Sequence, residues 1–245
     1  ELGATKLSFW PFIQSTGTTL FPYGEGNDAL LLTASSAIES ILDPFQHRGG
    51  VYSLKNDGTT SWLQSADDAD YSFGDATVDV PFSVGAWILM EEAVASARSI
   101  LSKYRTDAVA AREWDFRFGT DGKLVMELFD ESAVTSEIAT STGTALTPFI
   151  WQFATMTYDG GETTPVINLY LNATSVHDGT SVETGAYVSM EDTTALLGIG
   201  HRNTPTAAQV FQGRIALPFI TGKELTAANV SALYYLGQRL LGLRD

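Results

Sequence analysis

The segment of residues 113–129 restricts the fold more than any other part of the chain. Its large apolar residues recur at every second position on both sides of a turn at residues 119–122: Trp114, Phe116, Phe118, Leu124, Met126 and Leu128. The positions between them are mainly charged. Period two is the repeat of a β-strand, so the segment predicts a half-buried antiparallel hairpin with one apolar and one charged face.

The remainder of the chain also has the sequence pattern of short strands separated by turns. Turn-forming Asn, Asp and Gly clusters recur about every 8–15 residues, which is typical of an all-β sandwich. A second hairpin is predicted to join residues 150–158 to residues 166–172, and residues 100–104 are predicted to form a strand. Because no Pro-rich or Ser-rich linker divides the chain, one domain covering residues 1–245 is predicted.

The C-terminal region carries the one convincing helical pattern. Residues 225–236 are predicted to form a short helix, because Thr226 can cap it and Val230, Leu233 and Tyr234 follow helical spacing. The following tail, residues 236–245, is apolar for an exposed terminus. We expect it to dock, either on its own sandwich or on a neighbouring molecule.

Charge and composition exclude several classes of function. The 29 acidic and 14 basic residues give a net charge of −15, and so negative a surface repels nucleic acid. No run approaches eighteen apolar residues, so membrane insertion is not expected. The chain contains no cysteine, which rules out disulfides and thiolate metal ligands. With no visible signal peptide, this composition favours a bacterial or viral source.

Short motifs along nearly the whole chain are similar, in their order, to one known family. They are LSFWP (7–11), GNDA (26–29), SADDADY (65–71), FSVGAWI (82–88), ILSKY (100–104), EW (113–114), DGKL (121–124), WQFATMTYDGG (151–161), LYLN (169–172), LGIG (197–200), FQGRI (211–215) and LTAANVSALY (225–234). This order resembles the laminin-G-like (concanavalin A-like) jelly roll. The resemblance implies an all-β, two-sheet antiparallel jelly-roll sandwich, here with a short C-terminal helix.

The resemblance also bears on whether the chain has a calcium site. After Gly-Arg-Ile the family usually has an acidic pair that joins N-terminal aspartates around the ion, and Ala216 and Leu217 stand in its place. Calcium needs six to eight oxygen ligands, several of them carboxylates. The remaining aspartates, at positions 28, 67, 68 and 70, are explained more simply as turn formers. No cofactor is therefore predicted, and a calcium site is left open.

Glycan binding would need aromatic rings for sugar C–H faces beside polar hydrogen-bonding groups. The candidates in this chain are Trp62, Tyr104, Asn168, Tyr170 and Arg202. Asn168 and Tyr170 share the polar face of one predicted strand. The other tryptophans lie on strongly apolar strands and are predicted to be core residues: Trp10, Trp87, Trp114 and Trp151.

The hypothesis that the chain is an enzyme depends on two carboxylates. Glu113 and Asp115 share a strand face, about 6.6 Å apart at the rise of a β-strand, as in laminarinase-type glycosidases of this fold. The third carboxylate of that pattern is replaced by Phe118. A salt-bridged outer surface with Arg117 and Lys123 explains the two charges more simply. No histidine follows Gln-x, as an alginate-lyase-like site would require, so no enzyme is predicted.

The sequence thus predicts a non-catalytic recognition, attachment or decoration protein on a larger assembly, such as a phage particle or bacterial surface. Whether it binds glycans or chiefly covers a particle stays open. A free-standing calcium-dependent carbohydrate-binding module is the alternative, and a polysaccharide-cleaving enzyme is third. The predicted partner is a surface glycan or a neighbouring structural protein, with a homo-oligomer left open. The predicted location is a virion surface or the extracellular space.

Overall fold

The computed structural model describes residues 7–10, 19–20, 23–24, 30–33, 53–60, 62–93, 96–106, 111–161, 166–177, 181–202 and 209–243. Its strands are β1 Leu7–Phe9, β2 Thr19–Leu20, β3 Tyr23–Gly24, β4 Leu30–Thr33, β5 Leu54–Asp57, β6 Trp62–Ser65, β7 Phe82–Met90, β8 Arg98–Arg105, β9 Ala111–Phe118, β10 Lys123–Asp130, β11 Thr135–Ala145, β12 Trp151–Tyr158, β13 Ile167–Leu171, β14 Thr174–Ser175, β15 Ser181–Thr184, β16 Leu197–Ile199 and β17 Gln212–Thr221. A 3₁₀ turn spans Ala69–Tyr71, and helix α1 spans Ala227–Leu241.

Within the described residues the strands form two antiparallel sheets. The first has eight strands in the order β14-β13-β12-β7-β17-β1-β3, with β5 also paired to β17. The second has nine strands in the order β15-β11-β10-β9-β8-β16-β6-β4-β2. The predicted fold class, an all-β two-sheet antiparallel sandwich with one C-terminal helix, is confirmed.

Both predicted hairpins are present. In the first, β9 pairs with β10, with Phe118 opposite Leu124 and Trp114 opposite Leu128. In the second, β12 pairs with β13. The predicted strand at residues 100–104 lies within β8. Alternation fixes these registers, because a slip of one residue would move every apolar side chain out of the core.

The main core lies between the two sheets. The apolar residues of β9 and β10 are buried there, together with alternate residues of β7, β12 and β13. Trp10 and Trp114 belong to this core. Trp87, also predicted as core, is buried elsewhere, on the outer face of the eight-stranded sheet, and Trp151 is only partly buried beside it.

The helix is longer than predicted. The predicted cap is confirmed, because the Thr226 side chain accepts a hydrogen bond from the Asn229 amide. The helix then continues past residue 236 and ends at Gly242, whose φ of 68° is left-handed. The expected separate tail is thus largely helix, and it docks on its own sandwich, with Leu241 buried. Residues 244–245 of that tail lie outside the described residues.

Helix α1 covers part of the outer face of the eight-stranded sheet. Its contact stripe, Val230, Gly237 and Leu241, is buried. A Cβ at Gly237 would lie 1.9 Å from the Trp87 Nε1 atom, so only glycine allows this approach. Among the described residues, no helix is long and apolar enough to span a membrane.

Candidate functional site

Charged side chains meet on the outer face of the nine-stranded sheet. Alternation turns Asp115 and Arg117 of β9 away from the core, and Val125 and Glu127 of β10 stand opposite Arg117 and Asp115. Arg202 reaches the same place from the segment that follows β16. We call this set, Tyr104, Asp115, Arg117, Glu127 and Arg202, the polar face.

Two carboxylates and two guanidinium groups form a connected network on the polar face. Arg202 donates from Nε to Asp115 Oδ2 at 2.6 Å and from a terminal nitrogen to Glu127 Oε2 at 3.1 Å. Arg117 lies 3.2 Å from the same Asp115 oxygen and 3.3 Å from the same Glu127 oxygen. The network balances two negative with two positive charges and fixes each side chain through another.

An aromatic ring supports this network from one side. The Arg202 guanidinium carbon lies 4.3 Å from the centre of the Tyr104 ring, within cation–π range. Burial alone would lower the pKa of Arg202, but the charges of Asp115 and Glu127 and the hydrogen bond to Asp115 outweigh it and raise that pKa. Arg202 therefore stays charged, and its side chain still exposes 12% of its area.

A second aromatic group lies beside the polar face. The Trp62 and His201 rings stack with centroids 4.8 Å apart and planes 18° apart. The His201 ring lies over Gly198, where any Cβ would come within 2.9 Å of it. Burial lowers the pKa of His201 to about 3. Neither ring nitrogen has a hydrogen-bond partner among the described residues, so a neutral imidazole supports the partly exposed Trp62.

Glu113 lies apart from this network, and its surroundings differ from the salt-bridged outer surface predicted for it. The predicted salt-bridged outer surface would leave Glu113 and Asp115 solvated, but both are fully buried. Glu113 pairs with buried Lys103 at 2.7 Å rather than with Lys123, and it also accepts from Thr193. Burial raises the pKa of Glu113, and the Lys103 charge opposes that rise. The two carboxylates face different partners, which disfavours their use as a catalytic pair.

The five predicted glycan-binding residues divide between the two sheets. Tyr104 and Arg202 are in contact at the polar face, where Tyr104 is itself buried, with 8% of its area exposed. Trp62 stacks on His201, the chain neighbour of Arg202. Asn168 and Tyr170 lie on β13 of the other sheet, and Tyr170 is buried in the cluster beneath α1, with 7% of its area exposed. That ring offers no open face to a sugar, and Asn168 is half-buried. Glycan binding by these residues remains a prediction.

The described aspartates of the predicted turn serve local structure. Asp68 accepts from the Asp70 amide at 2.7 Å and begins the 3₁₀ turn, while Asp67 pairs with Lys103 at 2.8 Å. Among the described residues no group of three His, Asp or Glu side chains could hold a metal ion. Asp28 lies outside the described residues.

Sequence comparison decides the family. A laminin-G-type family model, described as the concanavalin A-like lectin/glucanases superfamily, matches residues 57–231. The chain belongs to this superfamily. The predicted resemblance is thereby confirmed. No curated protein sequence matches the chain.

Solved structures with the concanavalin A-like sandwich include several binding domains. The binding domain of Paraclostridial mosquitocidal protein 1 is 12% identical, with a TM-score of 0.65 over 94% of this chain and 52% of that one. The binding domain of botulinum neurotoxin DC, in complex with SialylT, is 14% identical, with a TM-score of 0.63 over 96% and 52%. The chain spans about half the length of these toxin domains.

A third similar structure is matched over its full length. Domain 4 of AbnA, a GH43 extracellular arabinanase from Geobacillus stearothermophilus in complex with arabinotriose, is 15% identical. Its TM-score is 0.62, over 94% of this chain and 99% of that domain. At such low identities these likenesses establish the concanavalin A-like fold alone.

The structure gives a packing role to the two positions where the resemblance implied an acidic pair. Ala216 and Leu217 lie at an irregularity in the pairing of β17 with β7, and Leu217 has a φ of 51°. Both side chains are buried in the cluster beneath α1. Ala216 and Leu217 therefore help to seat the helix.

Proposed function

We propose that this chain is a non-catalytic glycan-binding module and that the polar face is its binding surface. The observation that carries the proposal is the connected Asp115, Glu127, Arg117 and Arg202 network beside the Trp62–His201 stack. Sugar recognition needs a ring for the C–H face of the sugar and fixed polar groups for its hydroxyls. The polar face supplies both, and its ion pairs hold the polar groups in place before any ligand binds.

The charge balance of the face points to a neutral glycan. Each guanidinium already faces two carboxylate oxygens, and the chain as a whole carries −15. An anionic sugar would have to displace one of these ion pairs against that field. Hydroxyl groups can instead use the remaining donor and acceptor positions of Arg117, Glu127 and Arg202, whose side chains are partly exposed, without breaking a pair.

The similar structures support a binding module rather than an enzyme. One is a toxin binding domain in complex with SialylT, and another is an arabinanase domain in complex with arabinotriose. Each is one part of a larger protein. By analogy, we propose that this module is likewise one part of a larger protein. Its display on a larger assembly, such as a phage particle or bacterial surface, and its location at a virion surface or outside the cell stay predictions from the sequence.

A glycan array followed by titration of the best neutral oligosaccharide tests the proposal. Trp62→Leu and Glu127→Gln are expected to weaken binding at least tenfold, because they remove the ring and one carboxylate charge. Asn168→Ala, on the opposite sheet, is the matched control and should leave the affinity unchanged. Thermal melts of all three variants separate loss of binding from loss of folding.

The alternatives predict different results. If the folded chain binds no glycan on the array, with or without calcium, the result would favour a decoration role with a protein partner. Binding lost only in Asn168→Ala would move the site to the other sheet. Release of reducing ends from a polysaccharide would contradict the non-catalytic assignment.

A further inference from the structure

Helix α1 does not close the outer face of the eight-stranded sheet completely. A cavity of about 550 Å³ remains between the helix and the sheet. Trp87, Phe153 and Phe219 of the sheet form its floor, and Leu233 and Leu236 of the helix form its opposite wall. We call this space the sub-helical cavity. Its volume falls within the roughly 300–1,000 Å³ of small-molecule binding sites.

The sub-helical cavity follows from the way the helix is seated. One stripe of α1, with buried Val230 and Gly237, touches the sheet. The neighbouring stripe, which includes Ala232 and Leu236, overhangs the cavity and remains exposed, Leu236 by 51%. The cavity is therefore open to solvent beside these residues, and a ligand could enter there without displacing α1.

The floor is shaped by the irregularity in β17. The pairing of β17 with β7 shifts between Ala216 and Phe219, and Leu217 adopts a left-handed φ of 51°. Irregularities of this kind re-aim side chains and are frequent beside functional sites. Here Leu217 and Phe219 both line the sub-helical cavity.

The chemistry of the lining indicates which ligands would fit. Among the described residues that line the sub-helical cavity none is charged, and Thr221 and Asn229 are the polar ones. A charged ligand would lose its hydration without gaining an ionic partner, and a negative one would also meet the net charge of −15. Aliphatic and aromatic walls instead favour an uncharged hydrocarbon group.

We propose that the sub-helical cavity binds a neutral ligand with an alkyl or acyl chain. The recess lies beneath a helix, so it suits a slender chain that enters from the side better than the broad surface of a globular partner. This site lies on the sheet opposite to the polar face. The two proposals are therefore independent and can fail separately.

Calorimetric titration with n-alkanols from hexanol to decanol tests the proposal on the whole chain. The affinity is expected to rise about fourfold with each added methylene until the cavity is full. The heat capacity change on binding should be negative, because apolar surface is buried.

Two helix variants provide the decisive comparison. Ala232→Phe places a ring in the sub-helical cavity and is expected to weaken alkanol binding at least tenfold. Ala228→Phe adds the same ring at an exposed position of α1 that does not line the cavity, and it should bind as the wild type does. Since both positions are exposed, neither ring needs to enter the core, and thermal melts check folding.

Two outcomes would overturn the proposal. The first is the absence of saturable binding across the alkanol series, and the second is equal affinity of wild type and Ala232→Phe. In the first case, the chain is also tested for pelleting with phosphatidylcholine vesicles that Ala232→Phe abolishes. Such pelleting would assign the cavity to a membrane surface instead.

Discussion

Lowering the pH from 7 to 5 should destabilise the folded chain because of one buried imidazole, that of His201. His201 exposes only 2% of its area, and its nitrogens have no hydrogen-bond partner among the residues described. Burial lowers its pKa from 6.5 to about 3. In the unfolded chain the same imidazole takes up a proton as the pH falls through 6.5, whereas in the folded chain it stays neutral.

The size of the effect follows from proton linkage. Because the unfolded state binds a proton that the folded state excludes, stability falls as the pH drops below 6.5 and stops falling below about 3. Each pH unit in this window costs about 1.4 kcal/mol. At pH 5, 1.5 units below the unfolded pKa, the loss from His201 alone is ~2 kcal/mol.

Urea unfolding of wild type and His201→Phe at pH 8, 7 and 5 measures this contribution. Phenylalanine keeps a ring beside Trp62 but cannot take up a proton. Between pH 7 and 5 the wild type should lose ~2 kcal/mol more than the variant. Between pH 8 and 7, both above the unfolded pKa, the two should change in parallel. Equal losses down to pH 5 would refute the assignment of a neutral, desolvated imidazole.

Three further substitutions test the packing. Gly237→Ala should lower the melting temperature, although alanine is the better helix former by ~1 kcal/mol, because its Cβ would overlap Trp87; a raised temperature would contradict this packing. Lys103→Met should lower the free energy of unfolding in urea by about 3–5 kcal/mol, because it leaves the Glu113 charge buried without its partner. Adding Glu113→Gln to this variant should recover part of the lost stability. Thr226→Ala should cost about 1 kcal/mol through the lost cap, and an unchanged midpoint would argue against that cap.

Strong periodicity made much of the fold predictable. The hairpin of β9 and β10 could be predicted because alternating residues occupy opposite faces of a strand. The helix was predicted to end at residue 236, which is too early, because the glycine that follows, Gly237, is a residue type that commonly ends helices. In the structure the helix backbone approaches Trp87 closely at Gly237, and such a contact leaves no trace in local sequence.

The candidate site was predictable only in fragments. Trp62, Tyr104, Asp115 and Arg202 were each singled out, but nothing near them in the sequence shows that they meet. Their proximity depends on the order β10-β9-β8-β16-β6, which brings distant segments together. The stacking of His201 with Trp62 could not be predicted because the two residues are far apart in the sequence, and the exposure of Tyr170 was misjudged because helix α1 covers one outer face.

The position of β17 has a consequence for how the chain folds. This strand lies between β7 and β1 at the centre of the eight-stranded sheet, so residues 82–90 cannot complete their pairing until residues 212–221 arrive. Closing so long a loop is slow compared with forming hairpins. During synthesis β7 would present an open strand edge, which invites pairing between chains. We therefore expect pairing between copies of the chain to be most frequent before β17 has emerged from the ribosome.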